Sequence, residues 1–402
     1  MIARDGLKSK DGLKSKNGWL IVELHGSHYN IGLQHGTKLK QQIQRLEPLL
    51  RFTKKRKYDE YMNECNALYK LWMNDPKWSF VYDEIRGISE GSGTSIEIIF
   101  AWNMLLSLES PEQPTRESKV YLEGRCSAFI WSDGLNIIMA HNTHSDYATG
   151  LFSNVVAHIY PVNGYHFKMQ TAPGLICSST DWFITSAGII GCETTLKQTD
   201  KPVFTVDTVP YFFRIRKAME HGTMMDDYVQ IMSDNNAGDY GCQWLLGNVN
   251  TGHIMQFELT LNEKTVTMQT SGYFVGANMS SWNPEPIKTR NGARYQRLLD
   301  LVSRPGMSLN YAKKILADHY DVYKKTMKKG YRTICTHKEH GVRKKHAGTV
   351  DGKVIDTALA KQMQFIGRMG SSCKEKRTLK MTNPEKDVMP SLKIHNLSLI
   401  HI

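Results

Sequence analysis

Long hydrophobic runs are missing from this sequence. No apolar stretch approaches the roughly 18 residues that a membrane-spanning helix needs, and the best short runs are Ser127–Trp131 and Asn136–Ala140. The N-terminal MIARDGLKSK has no apolar segment of the kind found in secretory signal peptides. These absences predict a chain without a membrane-spanning segment or a signal peptide, and a cytoplasmic location is the default expectation.

Cysteine is also scarce. Seven cysteines, an odd number, are scattered over 402 residues, which does not resemble a disulfide framework. A reducing compartment is therefore the default expectation. Hydrophobic residues make up 41% and charged residues 22%, a composition typical of folded rather than disordered chains. A chain of this length can bury a core that needs no metal or disulfide to stabilise it.

Positive charge exceeds negative charge. The 51 Lys and Arg residues outnumber the 39 Asp and Glu residues, so the formal net charge is +12. Much of the excess lies in residues 324–345, where Glu339 is the lone acidic residue among nine basic ones. A solvated loop is the simpler interpretation, and peripheral contact with an anionic membrane is the alternative. The sequence has no zinc-finger spacing and no RNA-binding aromatic signature, so we expect no nucleic-acid partner.

Changes in composition divide the chain into four parts. Residues 1–17 contain two copies of DGLKSK, a polar leader that we expect to be poorly ordered. Residues 18–125 form an α-rich segment, and residues 126–375 hold short β-like runs with turn signals between them. Residues 376–402 form a tail. The mixture predicts the α+β class, with antiparallel sheets and helices packed on them.

Individual elements can be predicted from hydrophobic periodicity. Trp19–Leu24 is predicted to be a strand, and Tyr29–Arg51 has apolar residues at roughly helical spacing. Within the β-rich part, helices are predicted over Phe212–Asp234 and Leu309–Lys325.

Two apolar runs flank Asp133-Gly134, which is a strong sequence signal for a β-hairpin. If these are the two loop residues, Cys126 lies directly opposite His141, with Cβ atoms about 4.5–5.5 Å apart. The thiol and the imidazole would then share one face, where the imidazole could polarise what the thiol binds. Cys126 as ordinary core filler is the alternative, and a one-residue slip would move His141 to the other face.

The stretch before Cys126 favours a catalytic role. Pro111–Lys119 contains proline and mixed charge and ends the helical segment ahead of the predicted strand. A cut between Arg125 and Cys126 would place a new α-amino group beside the thiol, with a pKa of roughly 7.7–8 that suits a general base. A nucleophile at the processed start of a strand is typical of N-terminal-nucleophile hydrolases.

Several motifs occur along roughly residues 18–375, and their shared order is more specific than any one of them. They are GWLIVELHGSHYNIGLQHG (18–36), GRCSAFIW (124–131), AHNTHSDY (140–147), PGLICSSTDWFITSAGIIGCETT (173–195), NNAGDYGCQWLLG (235–247), GARYQR (292–297), YRTICTH (331–337) and AGTVDGKVIDTALAKQM (347–363). Together they resemble phospholipase B-like proteins, the lamina-ancestor group, and the related acyltransferase-like cysteine hydrolases of the penicillin acyltransferase type.

The resemblance implies a fold and a maturation step. The fold is the αββα sandwich of N-terminal-nucleophile hydrolases, in which two stacked, mainly antiparallel sheets lie between helical layers. The precursor cuts itself before its nucleophile, here between Arg125 and Cys126, and both fragments stay associated. Residues 18–125 would then be retained beside a catalytic core over residues 126–375.

Site residues are carried over by motif. The resemblance implies that Cys126 is the nucleophile and that His141 orients or polarises groups near the thiol. It implies Asn236 as a donor to the tetrahedral oxyanion and Arg294 as a positive group that favours the thiolate. A further set is implied to bind substrate: Thr143, Thr195 and Trp244.

The function that follows is a self-processing cysteine hydrolase. It would cleave an acyl ester of a phospholipid, or a linear N-acyl amide, through an acyl-thioester on Cys126. A non-catalytic lipid- or ligand-binding protein on the same fold and an N-acyltransferase are the alternatives. His144 stands where relatives commonly have Trp, which leaves the polar network and the substrate open. The resembling family is largely lysosomal or secreted, in contrast to the default location.

One group of residues raises the question of a metal. Cys335, His337 and His340, with His346 nearby, could act as ligands, but their spacing fits no well-attested zinc pattern. A solvated loop is the preferred interpretation. His141 and His144 are three residues apart on a predicted strand and face opposite sides, which disfavours joint metal binding. We therefore expect no metal and no other cofactor.

Overall fold

The structure is a computed structural model of the 402-residue chain. It describes residues 13–54, 57–108, 126–150, 152–178, 181–197, 200–338, 347–373, 377–379, 392–394 and 400–402. Three sequence predictions fall outside these ranges: the disorder of the first DGLKSK copy, the linker Pro111–Lys119, and most of the tail. Among the described helices, none combines the length and the apolar character required to cross a bilayer.

The N-terminal part begins with two paired strands and continues as helices. Its elements are β1 (Lys14–Lys16), β2 (Trp19–Gly26), α1 (His28–Lys38), α2 (Lys40–Ile43), α3 (Leu46–Lys54), α4 (Tyr58–Trp72), α5 (Ser79–Ser92) and α6 (Ile96–Asn103). The strand predicted over Trp19–Leu24 and the helical character of this part are confirmed. The disorder predicted for the leader is wrong at its end, where β1 pairs with the start of β2.

The central part is mainly β, with helices between the strands. Its elements are β3 (Ser127–Ser132), β4 (Ile137–Asp146), α7 (Tyr147–Gly150), β5 (Val155–Pro161), β6 (Phe167–Thr171), β7 (Trp182–Thr185), β8 (Ile189–Thr195), α8 (Tyr211–His221), α9 (Met225–Ser233), β9 (Cys242–Asn248), β10 (Ile254–Leu259), β11 (Lys264–Gln269) and β12 (Gly272–Gly276). The helix predicted over Phe212–Asp234 is thus two helices. They separate at Gly222, where a side chain would collide with the carbonyl oxygen of Ala218 and the ring of Tyr228.

The C-terminal part alternates helices and strands. Its elements are α10 (Arg290–Val302), α11 (Leu309–Leu316), β13 (Tyr320–Asp321), β14 (Thr326–Met327), β15 (His337–Lys338), β16 (Ala347–Asp356), α12 (Thr357–Lys361), β17 (Ile366–Met369), β18 (Arg377–Leu379), β19 (Leu392–Ile394) and β20 (Ile400–His401). The prediction of one helix over Leu309–Lys325 is wrong beyond Leu316. A tight hairpin replaces its end because the Asp321 carboxylate accepts the backbone N–H groups of Tyr323 and Lys324.

The strands form two large sheets. The first has nine strands in the order β1-β2-β5-β6-β7-β8-β9-β10-β11 and is antiparallel except for the β2–β5 pair. The second is antiparallel, with the order β12-β3-β4-β16-β17-β20 and β15 on the side of β16. Both sheets confirm the predicted α+β class with mainly antiparallel strands.

The two sheets pack face to face, and helices cover their outer faces. A side chain at Gly247 of the nine-stranded sheet would meet Ile130 and Ile137 of the second sheet. Helices α1, α8 and α9 contact the nine-stranded sheet, and α10 and α11 contact the second. The layers are therefore helix, sheet, sheet and helix, each sheet burying one apolar face against the other.

Helices α1 and α5 approach each other unusually closely. A Cβ atom added to Gly32 would overlap the carbonyl oxygen of Glu84, and one added to Gly87 would overlap that of Tyr29. Glycine at these positions removes the side chains that keep two backbones apart. Helix α1 also contacts β2 and β5, which joins this helix pair to the nine-stranded sheet.

Candidate functional site

Cys126 directly precedes β3 and is the first described residue of the central part. Its side chain is buried, with 5% of its surface exposed. Burial raises the pKa of the thiol to about 12, against the opposing effects of a hydrogen bond from the His144 backbone and the charge of Lys353. In the uncut chain the Cys126 side chain is therefore a neutral thiol at neutral pH.

The hairpin that follows Cys126 forms, but its predicted register is wrong. Ser132 pairs with Ile137, so the loop has four residues, and Ala128 rather than Cys126 lies opposite His141. The Asp133 carboxylate accepts the backbone N–H groups of Leu135 and Asn136, which closes this longer loop. A shift of two residues preserves the face, so Cys126 and His141 stay on one face as diagonal neighbours.

Arg294 lies against the backbone of Cys126. From α10 its guanidinium group donates to the carbonyl oxygen of Cys126 and, over 3.0 Å, to the hydroxyl of Ser127. The side chain is fully buried. A permanent positive charge is thus held at the start of β3.

Thr195 is connected to this arginine by Asn278. The Asn278 side chain accepts a hydrogen bond from Arg294 over 2.9 Å and donates to the carbonyl oxygen of Thr195 over 2.8 Å. Asn278 has a positive φ of 62°, which Asn tolerates better than most residues. The ends of β3, β8 and β12 therefore meet at one site.

His141 points between the two sheets and is fully buried. Its Nε2 lies 2.9 Å from the carbonyl oxygen of Glu193. Burial and the nearby charge of Lys353 hold the pKa of His141 well below its usual range, so the ring is neutral. Because a carbonyl only accepts, Nε2 carries the proton and Nδ1 is left as a hydrogen-bond acceptor.

Thr143 belongs to a buried polar cluster between the sheets. Lys353 on β16 donates to the Thr143 hydroxyl over 2.9 Å and to the Gln170 side chain over 2.7 Å. The same ammonium group forms a 2.9 Å ion pair with Asp351, and both side chains are fully buried. Gln170 in turn donates to Asp351 over 2.9 Å, so each charged group has several partners.

A pair of buried carboxyl groups, Asp181 before β7 and Glu193 on β8, lies nearby. Tyr211 donates to Asp181 over 3.2 Å, and Tyr240 donates to Glu193 over 3.4 Å. Burial raises the pKa of both carboxyl groups, and their mutual repulsion raises that of Glu193 further. This pair therefore retains a proton at a pH where an ordinary carboxyl group has lost it.

Asn236 and Trp244 are not brought to this site by the contacts described. The Asn236 amide donates to the carbonyl oxygen of Thr260 over 2.8 Å, and its oxygen accepts the N–H of Gly238 over 2.9 Å, as in a turn. Trp244 packs on Phe183 in the core between the nine-stranded sheet and the helices. That core lies on the opposite face of the sheet from His141.

Sequence reasoning missed Asn278, Asp351 and Lys353. The run TVDGKVID around Asp351 and Lys353 alternates polar and apolar residues, which reads as a half-exposed strand. Because β16 is central in its sheet and faces the other sheet, both charged residues are buried. The signal available in the sequence was a pair of opposite charges, Asp351 and Lys353, two residues apart.

Metal-ligating side chains do meet elsewhere in the fold. Cys335 and His337 come together with His319 and Cys373, and the ligand atoms of these four residues all lie within 4.8 Å of one another. His340 and His346, the other members of the predicted group, lie outside the described residues. The sequence missed His319 and Cys373 because both are distant along the chain.

Comparison with known proteins gives a family-model match over part of the chain. Residues 96–282 match the family model for phospholipase B. This part of the chain is similar to the phospholipase B family. The match confirms the resemblance predicted from the motifs, and it suggests a lipid hydrolase. The phospholipase B segment contains Cys126 and His141 but ends before Arg294 and Lys353. No curated protein matches the chain.

Proposed function

We propose that this protein is a self-processing cysteine hydrolase with the N-terminal-nucleophile αββα fold, acting on acyl esters of lipids. The observation that carries the proposal is the position of Cys126, a thiol directly before a sandwich strand with Arg294 on its carbonyl group. The phospholipase B match supports the substrate class.

The maturation step would use the Cys126 thiol on its own peptide bond. The sulfur attacks the carbonyl carbon of Arg125, the C–N bond breaks, and the nitrogen takes a proton to become the α-amino group of Cys126. Water then hydrolyses the resulting thioester, which releases the Arg125 carboxylate and restores the thiol. The retained fragment would end at Arg125, and the catalytic core would span residues 126–375.

Hydrolysis of substrate would repeat this chemistry on an external acyl group. The freed α-amino group accepts the thiol proton, the sulfur attacks the acyl carbon, and the alcohol leaves with a proton. Water attacks the acyl-thioester, giving the carboxylic acid and the free thiol. The neutral His141, with Nδ1 as an acceptor, is suited to orienting a proton donor near the sulfur.

Arg294 is the positive group that this mechanism uses. Its charge at the Cys126 backbone favours a negative sulfur and a developing oxyanion over their neutral forms. Asn236 as the oxyanion donor stays a prediction, since its amide would first have to leave Thr260. Thr143 and Thr195 are proposed to line the substrate side of the site, next to Lys353 and Asn278.

The first experiment is intact mass and N-terminal sequencing of the purified chain, beside Cys126→Ala. We expect two associated fragments, one beginning at Cys126, and a single 45.9 kDa chain in the variant. Cys192→Ala is the matched control, because Cys192 is fully buried in the core between the sheets and has no proposed role. A wild-type chain that stays intact at neutral and acidic pH would overturn the proposal and favour a ligand-binding protein.

The second experiment separates hydrolase from transferase. The processed protein is incubated with a diacyl phospholipid and with an N-acyl amide of matched chain length, with and without an added amine. Free fatty acid from the ester, unaffected by amine, supports the proposed reaction. Acyl transfer to the amine would indicate an N-acyltransferase instead.

We also propose that the β13–β14 hairpin contacts anionic membrane. The tip exposes Tyr323 and Met327, whose exposed fractions are 50% and 70%, beside Lys324 and Lys325. Basic and apolar side chains together suit the surface of an anionic bilayer. The test is sedimentation with phosphatidylserine-containing vesicles, using Lys324→Glu/Lys325→Glu, with Lys361→Glu on α12 as the control. Binding indifferent to phosphatidylserine and salt would overturn it.

A further inference from the structure

Four metal-ligating side chains from three separate segments meet below the β13–β14 hairpin. His319 directly precedes β13. Cys335 lies two residues before β15, His337 is the first residue of β15, and Cys373 follows β17. Cys335 and His337 are buried, and the other two side chains are half-buried. No acidic side chain belongs to the group, so the ligand set is two imidazoles and two thiols.

The ligand atoms lie close enough together to surround one ion, all within 4.8 Å of one another. The Nε2 atom of His337 lies 3.0 Å from Nε2 of His319, 3.4 Å from Sγ of Cys335 and 3.3 Å from Sγ of Cys373. Zinc bonds of about 2.0–2.3 Å at tetrahedral angles place neighbouring ligand atoms roughly 3.3–3.8 Å apart. The observed separations approach this range before any adjustment of the side chains.

Hydrogen bonding alone does not account for this arrangement. A ring nitrogen has either one proton or one lone pair in the ring plane, so Nε2 of His337 can pair with one of its three neighbours. A cation at the centre would instead attract all four ligand atoms at once. Two thiolates also balance a divalent charge, so the loaded site would be neutral, as a largely buried site requires.

We propose that His319, Cys335, His337 and Cys373 form a structural zinc site. The four-residue set is complete without water or substrate, which is characteristic of structural rather than catalytic zinc. Both cysteines would bind as thiolates and release their protons to solvent on metal binding. The ion would join the residue before β13, the segment that leads into β15 and the segment after β17. It would thereby fix the base of the β13–β14 hairpin.

Neighbouring contacts already support the ligand positions. The backbone N–H of Cys335 donates to the carbonyl oxygen of Asp318 over 3.0 Å, and that of His337 donates to Gly330 over 3.1 Å. Arg297 on α10 forms a 2.7 Å ion pair with Asp318, the residue before His319. These contacts place the ligand-bearing segments before metal arrives, which favours a defined geometry.

The test measures zinc in untagged full-length protein by mass spectrometry after addition of stoichiometric zinc sulfate and desalting. We expect about one zinc per chain, and loss of zinc in Cys373→Ser and in His319→Gln. The matched controls are Cys65→Ser, at a buried position of α4, and His253→Gln, in the β9–β10 turn. Both variants should retain zinc. Zinc retained in both ligand variants, or absent from wild type, would overturn the proposal.

A second measurement needs no variant and so does not depend on variant folding. Cobalt added to metal-free wild-type protein should give the intense visible absorption of tetrahedral coordination and a thiolate-to-cobalt charge-transfer band. Weak octahedral absorption would contradict the site. The competing possibility is a disulfide between Cys335 and Cys373, which thiol titration and intact mass can detect. A mass lower by two hydrogens, with both cysteines unreactive after denaturation, would identify the disulfide and overturn the zinc proposal.

Discussion

Arg294 donates a hydrogen bond to the backbone carbonyl oxygen of Cys126, although 168 residues separate the two in the sequence. The arginine also contacts Asn278 and Asn291, so its position is set by several partners. This contact joins α10 to the start of β3. It places a permanent positive charge beside the proposed nucleophile.

Arg294→Lys should slow processing at Cys126 by about tenfold or more. Lysine keeps the charge but loses the planar fork that reaches several acceptors, and a charge-assisted hydrogen bond contributes about 1.5–3 kcal/mol. The appearance of fragments over time on denaturing gels measures the rate. Arg304→Lys, an exposed change just beyond the same helix, should process at the wild-type rate. Equal rates for both variants would remove Arg294 from the mechanism.

Asn278→Ala should lower the free energy of unfolding by about 1–3 kcal/mol, because it leaves buried hydrogen-bonding groups of Arg294 and Thr195 without this partner. The positive φ adds strain for alanine. Urea unfolding followed by circular dichroism checks the loss. Asn283→Ala, at an exposed position in the following loop, should change stability by under about 0.5 kcal/mol.

Arg216→Met should lower the free energy of unfolding by about 3–5 kcal/mol, since two buried carboxylates would lose their common cation. Arg216 on α8 contacts Glu84 on α5 over 2.9 Å and also pairs with Glu220, and all three side chains are buried. Arg86→Met breaks an exposed ion pair with Asp83 and should cost under about 1 kcal/mol. Similar losses for both variants in urea would contradict the interpretation.

Glu220 should make the protein sensitive to acid. Burial raises the pKa of this carboxyl group, but Arg216 and a hydrogen bond with His28 outweigh burial and lower it to about 2. The unfolded value is about 4.3, so the stabilisation is full above about pH 4.3 and is lost as the pH falls through 2. The two-unit difference corresponds to about 3 kcal/mol. In urea unfolding at several pH values, the free energy of unfolding should fall less steeply towards acid pH for Glu220→Gln than for wild type. An identical pH dependence would refute the role of Glu220.

Gly32→Ala should destabilise the protein, although alanine is the better helix former by about 1 kcal/mol. The added methyl group would overlap the Glu84 carbonyl oxygen and push α1 away from α5, and overpacking typically costs 1–3 kcal/mol. Thermal unfolding measures the change. Gly330→Ala meets no atom closer than 3.8 Å and is the control. A higher melting temperature for Gly32→Ala would show that the helices can separate without cost.

The sequence predicted much of the fold because local patterns decide local structure. The apolar run Trp19–Leu24 located β2, and the helical spacing over Tyr29–Arg51 located α1 and α3. Predictions failed where a side chain redirected the backbone. The carboxylate of Asp133 closes a four-residue loop in the first hairpin, and that of Asp321 stabilises a turn where the sequence predicted the end of a helix.

The sequence by itself determined the α+β class, the resemblance to the phospholipase B family and the choice of Cys126 as a candidate, because composition, periodicity and motif order are properties of the chain. Only the tertiary structure decided which distant residues meet. It buried the Lys353–Asp351 pair between the sheets, joined Thr195 to Arg294 through Asn278, and gathered His319 and Cys373 around His337. Such contacts arise from the packing of sheets and helices, and no spacing along the chain records them.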